Sequence, residues 1–262
     1  MHATVSTSPA PWLHSGLLAA GLLAASASAS ALNTFTFDPS QAGLSGASFT
    51  ADNLLISDYA TITRTSATTF TETGFLAITG AQLGNTTLSL SGLNSTYGLY
   101  IAFTGSGTTD GNNPLTQISV GSFTSLSYTL YGYNGTASFG FAGTTPTTTA
   151  AAPVVLATGS LLSGGVVSIP GGGAFSPSAS ATVNVGNVSS AFTAPAGFYT
   201  QATTSFTNTS SQVQPFANGF MVQQGGGSIN FAAPVPEPMT SALLLGGLGV
   251  VGFVARRRGT SR

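Results

Sequence analysis

The chain has 262 residues, a formal net charge of −1 and only 4% charged residues, whereas 42% of its residues are hydrophobic. This composition excludes nucleic acid as a partner, because phosphate binding needs clustered Lys or Arg and residues 32–233 contain only Arg64. The apolar fraction allows burial to offset chain entropy, so a folded chain is predicted. There is no cysteine, and stability must therefore come from packing and hydrogen bonding.

The N-terminus has the features of an export signal. Residues 17–25 form an apolar core that is followed by alternating small residues, which predicts a signal peptide over residues 1–31. Signal peptidase would cut near Ala29 or Ala31 and leave a chain that starts near Leu32. No Lys or Arg precedes the core, so either the signal is atypical or the true start lies elsewhere.

The alternation of apolar and small residues predicts strands throughout residues 32–233. Tyr97, Leu99, Ile101 and Phe103 alternate with Gly98, Tyr100 and Ala102, and glycine clusters mark turns between such stretches. We therefore expect one all-β extracellular domain, an antiparallel sandwich or a jelly roll. Residues 144–153, rich in Thr, Ala and Pro, are expected to be a surface loop or a linker between two subdomains.

The sharpest local signal is Asn134-Gly135, which lies between two aromatic-rich segments. Such a pair supplies the two positive-φ residues of a type I′ turn. A β-hairpin is therefore predicted over residues 128–141.

Candidate catalytic groups are few. Residues 32–233 contain no His, Lys or Cys, so only carboxylates could act as a base. A glycosidase needs two facing carboxylates, and the candidates are Asp52, Asp58, Glu72 and Asp110. Their sequence contexts favour turn-capping aspartates and a solvated glutamate.

Metal and sugar sites have equally weak signals. Asp110-Gly-Asn-Asn113 resembles part of a calcium loop but lacks its dense aspartate spacing, so a plain turn is favoured. We predict no catalytic site, no metal and no cofactor. Five tyrosines could stack against sugars, although strand packing is their favoured role: Tyr97, Tyr100, Tyr128, Tyr131 and Tyr133.

The C-terminus combines three features in a fixed order. Pro236-Glu237-Pro238 precedes an apolar run over residues 239–255, which is followed by Arg256-Arg257-Arg258. As a helix the run would span roughly 25 Å, the short end of what crosses a bilayer. Retention of the arginines in the cytoplasm would leave the preceding chain outside it.

This order closely resembles the PEP-CTERM sorting signal of exopolysaccharide-producing Gram-negative bacteria, here over residues 234–262. The resemblance implies that an exosortase cuts near Pro236, Glu237 and Pro238 and releases the protein from its membrane-anchored precursor to the cell surface or extracellular matrix. A permanent anchor is the alternative, and it requires only the apolar run and the arginines. Nothing in anchoring requires the Pro-Glu-Pro motif.

A second resemblance lies in the first half of the chain. Phe35-Thr-Phe-Asp38, Phe49-Thr-Ala-Asp-Asn53 with Tyr59, and the segment Tyr97–Phe103 occur in the same order in flocculation-associated PEP-CTERM proteins. This resemblance implies a non-enzymatic role in cell aggregation or biofilm structure through the exopolysaccharide matrix. A module that binds exopolysaccharide and a secreted glycoside-active enzyme are the alternatives. Because the chain has so little charge to protect strand edges, self-association is also expected.

Overall fold

The structure, a computed structural model, describes residues 32–89, 91–171 and 174–232. These residues form an all-β, antiparallel fold, as predicted, with short 3₁₀ helices at Pro39–Ala42 and Ser210–Gln212. The strands are β1 (Phe35–Phe37), β2 (Phe49–Ala51), β3 (Asn53–Arg64), β4 (Thr69–Leu83), β5 (Thr86–Thr87), β6 (Tyr97–Thr109), β7 (Ser119–Asn134), β8 (Phe139–Ala142), β9 (Thr145–Thr148), β10 (Val154–Gly171), β11 (Ala174–Asn184), β12 (Phe192–Ala194), β13 (Gln201–Thr207), β14 (Val213–Phe216) and β15 (Gly219–Ala232).

Eight of these strands form a single closed sheet. Their order is β13, β11, β10, β7, β6, β4, β3 and β15, and β15 pairs back onto β13. This arrangement differs from the predicted sandwich or jelly roll, in which two sheets face each other. Here one sheet curls around the core until its end strands meet, because β13 forms ladders with both β11 and β15.

A small aromatic sheet covers one end of the closed sheet. β1 lies between β2 and β12, and it carries the fully buried side chains of Phe35 and Phe37. The ring of Phe35 lies 5.0 Å from that of Phe231 at the end of β15, and the ring of Phe37 lies 5.2 Å from that of Phe192. Two of the three segments that resemble flocculation proteins, at β1 and β2, thus form much of this cap, which we call the aromatic cap, whereas the third lies on β6.

The hairpin predicted around Asn134-Gly135 is wrong. β7 ends at Asn134 and pairs with β6 and β10, whereas β8 pairs with β9. The side chain of Asn134 is used differently: its Nδ2 donates to the carbonyl of Gly43 (3.1 Å), and its Oδ1 accepts from the amide of Ser45 (2.7 Å). These contacts hold the end of β7 against the loop after the first 3₁₀ helix.

The stretch 144–153, expected to be a loop or linker, contributes strand β9. The β8–β9 hairpin lies on the outside of the closed sheet, where the ring of Phe139 contacts Tyr59, Phe75 and Tyr100 at centroid distances of 5.6–6.1 Å. One face of the sheet is therefore partly covered by its own hairpin.

Candidate internal binding site

The inner face of the closed sheet is apolar except at two acidic residues. On β3 the side chains of Leu54, Ile56 and Ala60 alternate with outward residues and point into the core. Asp58 follows the same alternation and is only 4% exposed. On β4, Glu72 likewise lines the interior space, two residues after the buried Phe70. Side chains alternate between the two faces of a strand, and this alternation places both carboxyl groups in the interior. Neither acid lies in a turn.

Small residues leave room beside these acids. Asp58 lies opposite Gly225 of β15 in the ladder, and Glu72 lies opposite Gly105 of β6. The side-chain oxygen of Asn208 occupies the place that a Cβ on Gly225 would need. The strand register therefore brings the amide of Asn208 next to Asp58.

Three interior oxygens are left without partners. Asp58 Oδ1, Asn208 Oδ1 and Thr204 Oγ1 are buried and have no hydrogen-bond partner within the described part of the chain. Buried polar groups in folded proteins are normally paired, because an unpaired one costs about 1–3 kcal/mol. A cavity beside such groups has room for a water molecule or a ligand that would pair with them.

The interior space has two regions: one that polar and charged side chains help to line, which we call the mouth, and a deeper one lined by apolar side chains. The mouth offers about 90 Å³ to the centres of water molecules and is bordered by Asp58, Glu72, Asn208 and Arg64. The deeper part offers about 50 Å³ and is lined almost entirely by apolar side chains, among them Leu76, Phe103, Phe123, Leu130 and Phe231. Glu72 and Phe206 border both parts, so the two are adjoining regions of one interior.

Burial raises the pKa values of both acids, so they stay protonated to a higher pH than exposed acids do. Loss of hydration raises the pKa of Glu72 from 4.5 to about 7. Loss of hydration, reinforced by the nearby Glu72, raises the pKa of Asp58 well above its ordinary range. Glu72 keeps some accessible surface because it borders the cavity, but protein surrounds its carboxyl group on the other sides.

The prediction of capping aspartates and a solvated glutamate is therefore wrong for Asp58 and Glu72. The missed signal is the alternation on β3, which places Asp58 in line with Ile56 and Ala60. The other two candidates, Asp52 and Asp110, do accept hydrogen bonds that stabilise turns. Asp52 accepts from the amide of Gly84 (2.7 Å), and Asp110 accepts from the amide of Asn112 (3.0 Å) at the β6–β7 loop.

No metal-binding cluster of His, Cys, Asp or Glu with three or more members exists among the described residues. Asp110 is occupied within its own loop, where it also accepts from the hydroxyl of Ser119 (3.0 Å). The arrangement is that of a closed turn.

The five tyrosines mostly pack within the protein. Tyr97, Tyr100 and Tyr133 are at most 5% exposed. Tyr131 stacks on Tyr100 at 5.1 Å, and the hydroxyl of Tyr128 donates to the carbonyl of Asn184 (3.0 Å).

Beside these aromatic residues a shallow groove crosses the outer face of β4, β6 and β7. It offers about 350 Å³ to the centres of water molecules. The hydroxyls of Thr73, Thr104 and Ser127 form one row across the three strands, since these residues are in register. Phe75 and Pro146 line the same groove.

The C-terminal segment is identified by comparison with known families. Residues 234–258 match the family described as the PEP-CTERM protein-sorting motif. The chain carries a PEP-CTERM sorting signal. This signal implies an exported, membrane-anchored precursor in a Gram-negative bacterium and its processing by an exosortase. Neither a curated protein nor a solved structure is significantly similar to the chain.

The predicted processing residues lie outside the described residues. These are the signal region 1–31 with Ala29 and Ala31, the motif Pro236-Glu237-Pro238, the apolar run 239–255, and Arg256, Arg257 and Arg258. Among the residues that the structure does describe, no helix has the length and hydrophobicity needed to cross a bilayer.

Proposed function

We propose that the exported protein is a non-catalytic component of the cell surface or extracellular matrix that contributes to cell aggregation or biofilm structure. The observation that carries this proposal is an outer surface almost free of charge. Six charged residues occur between residues 32 and 232. Asp52, Asp58 and Glu72 are directed into the protein, which leaves Asp38, Arg64 and Asp110 at the surface. Copies of such a protein repel one another only weakly.

An exposed apolar patch supports the same proposal. Val120 of β7 lies opposite Val167 of β10, and Ile118 and Ile169 lie one step beyond the adjoining Ser119–Ser168 pair. Ile118, Val120 and Ile169 are 50–56% exposed. We call these four residues the apolar patch. Its proposed occupant is a second copy of the chain, because no charge on the patch selects a different partner.

The experiment compares cell aggregation in strains of the producing bacterium. Deletion of the gene should slow sedimentation of the cells, and the unaltered gene should restore it. Val120→Thr combined with Ile169→Thr should restore it poorly, since both side chains keep β-branched shape but lose apolar area. Val155→Thr combined with Leu162→Thr is the matched control, because these exposed residues lie outside the patch. Normal aggregation without the gene would refute the proposal.

The absence of catalysis has a physical argument behind it. A glycosidase needs one carboxylic acid and one ionised carboxylate, so the pKa values of the pair must be pushed apart. Burial raises the pKa values of both Asp58 and Glu72, that of Glu72 to about 7, so in acidic solution neither supplies the ionised carboxylate. Hydrolysis of a polysaccharide that is abolished by Asp58→Asn or Glu72→Gln would overturn this part of the proposal.

A second candidate function is direct binding of exopolysaccharide in the outer groove. The hydroxyl row supplies neutral hydrogen-bonding groups, and Phe75 supplies an apolar face for a sugar ring. Binding of the purified protein to matrix polysaccharide should weaken in Phe75→Ala and in Thr104→Val. Thr36→Val is a suitable control, because Thr36 lies on the aromatic cap. Equal binding by all variants would exclude the groove.

The sorting step has a test that is independent of both roles. The protein released at the cell surface should lack residues 239–262 as well as residues 1–31, which intact-mass measurement would detect. Glu237→Ala changes the motif but hardly alters the hydrophobicity of the segment, so it should block release. Normal release of this variant, or a released form that keeps residues 239–255, would instead support simple anchoring.

A further inference from the structure

The interior of the closed sheet has the composition of a ligand site rather than of a packed core. Its deep part is lined almost entirely by apolar side chains, and its mouth is bordered by two acids and an amide. Protein cavities that bind small molecules are mostly apolar with a few converging polar groups. Within the described residues, the aromatic cap covers one end of the closed sheet, and Asn112 and Pro114 of the β6–β7 loop border the mouth.

The polar groups define the chemistry of the ligand. When Asp58 is ionised, Asp58 Oδ1 and Asn208 Oδ1 are both buried acceptors without a donor from the described chain, and Asn208 lies next to Asp58 across Gly225. Both belong to side chains that are 4% exposed. Acceptors gathered in this way call for a ligand that donates hydrogen bonds.

The charges point to the same kind of ligand. Arg64, the only basic residue between residues 32 and 232, lies at the mouth and donates to the carbonyl of Ala67 (2.8 Å). The two acids therefore share the interior with no positive partner beside them among the described residues. They lie on neighbouring strands, four residues apart in the ladder, since Asp58 pairs with Leu76. A cation would satisfy the acceptors and offset the repulsion that arises when both acids ionise.

We propose that this interior binds a small organic amine, with its ammonium group at Asp58 and Asn208 and with Glu72 as a second acid in the same interior. The apolar body of the amine lies in the deeper part against Phe103, Phe123 and Phe231. Aromatic rings are also favourable neighbours of a cation, because their faces carry negative charge. The cavity volume restricts the body of the ligand to a short chain or a single ring.

This site makes binding depend on pH. The titratable and charged groups that border the interior are Asp58, Glu72, Arg64 and Tyr128. Of these, Glu72, with a pKa of about 7, changes its charge between weakly acidic and weakly basic pH, and the pKa of Asp58 is shifted in the same direction. The ammonium group binds their ionised forms, so affinity rises as pH increases and binding releases protons.

The test is calorimetric titration of the protein, isolated from the cells that produce it, with hexylamine at pH 8. Hexan-1-ol and hexanoate have the same chain length but a neutral and an anionic head group. Hexylamine should bind at least tenfold more tightly than hexan-1-ol, and hexanoate should not bind. Butylamine should bind more weakly than hexylamine, by about fourfold per methylene group.

Isosteric variants test the named residues. Asp58→Asn and Glu72→Gln should each weaken hexylamine binding by about tenfold or more while leaving hexan-1-ol unaffected. Asp110→Asn removes a carboxylate on the surface loop and should leave both affinities unchanged. For the unaltered protein, hexylamine should bind at least tenfold more weakly at pH 5.5 than at pH 8.

Several results would overturn the proposal. Equal affinity for hexan-1-ol and hexylamine would mean that the cavity selects only apolar character. No binding of any probe would mean that it is closed to ligands of this class. Hexylamine affinity that does not change with pH would exclude the acids as the binding groups, even if neither variant could be purified.

Discussion

Replacement of Glu72 by Gln should change how the stability of the folded region responds to pH. An acid whose pKa is raised by folding is protonated in the folded chain but ionised in the unfolded chain between its two pKa values. The folded chain then binds more protons, so its stability falls as pH rises. The contribution of Glu72 is fully present below its unfolded pKa and is lost as pH rises through its folded pKa.

The size of the effect follows from the shift. The pKa of Glu72 rises from 4.5 to about 7 on burial. One pKa unit corresponds to about 1.4 kcal/mol, so ionisation of Glu72 lowers the free energy of unfolding by about 3 kcal/mol between pH 4.5 and pH 7. Asp58 adds a loss in the same direction, because its pKa is also raised. Glu72→Gln should therefore stabilise the protein by a few kcal/mol at pH 7.5 and hardly at all at pH 4.5.

The assay is urea unfolding of residues 32–232 at several pH values between 4.5 and 7.5. This region has no histidine, so the interior acids dominate the change in stability over that range. Asp110→Asn is the control. Loss of hydration raises the pKa of Asp110, but the hydrogen bonds that it accepts from Asn112, Val120 and Ser119 lower that pKa by more. Asp110 therefore does not titrate between pH 4.5 and pH 7.5. Stability that stays constant or rises with pH in the unaltered protein would refute the reasoning.

Two further predictions concern packing. The side chain of Phe37 in the aromatic cap has no exposed surface, so Phe37→Ala should lower the free energy of unfolding by about 3–5 kcal/mol. Ile118→Ala at the surface should change it by less than about 0.5 kcal/mol. Urea unfolding would measure both, and a small effect at Phe37 would show that the cap contributes little to stability. Gly121→Ala should cost about 1–3 kcal/mol, because its Cβ would collide with the carbonyl of Thr108, whereas Gly140→Ala has open space and should be nearly neutral in thermal unfolding. Equal melting temperatures for the two glycine variants would contradict the close approach of β6 and β7.

Local pattern was sufficient to predict the strands but not their partners. The alternation around Tyr97 and Phe103 correctly predicts β6, because side chains alternate along a strand whatever it pairs with. Closure depends on a contact between β13 and β15, which no local pattern encodes. The wrong hairpin has the same origin. Asn134-Gly135 is a strong turn signal, but long-range hydrogen bonds from Asn134 to Gly43 and Ser45 determine the local structure.

The interior site was missed for a related reason. A lone Asp or Glu in a polar sequence is most simply explained as a surface residue, and Glu72 stands between two threonines. For Asp58 the apolar alternation of β3 provides a usable signal, since the residue falls on the buried side. Asn208 and Gly225 could not be linked to it from sequence, because only the register of β15 against β3 brings them together. The C-terminal signal could be recognised without knowledge of the fold, because its motif, apolar run and arginines follow one another in one segment of the sequence.

Closure of the sheet also changes the basis of the self-association prediction. Low charge leaves strand edges unprotected, but the eight long strands have no free edge, because each pairs on both sides. Free edges remain on short strands such as β2, β12 and β14, so we expect association to depend mainly on the apolar patch. Light scattering on residues 32–232 at micromolar concentration should give assemblies larger than a monomer. Sulfate should enlarge them, since it strengthens apolar contacts rather than screening them. Val120→Thr with Ile169→Thr should restore the monomer, and Val155→Thr with Leu162→Thr should not. An unaltered protein that stays monomeric for days would refute cohesion and favour the carbohydrate-binding groove.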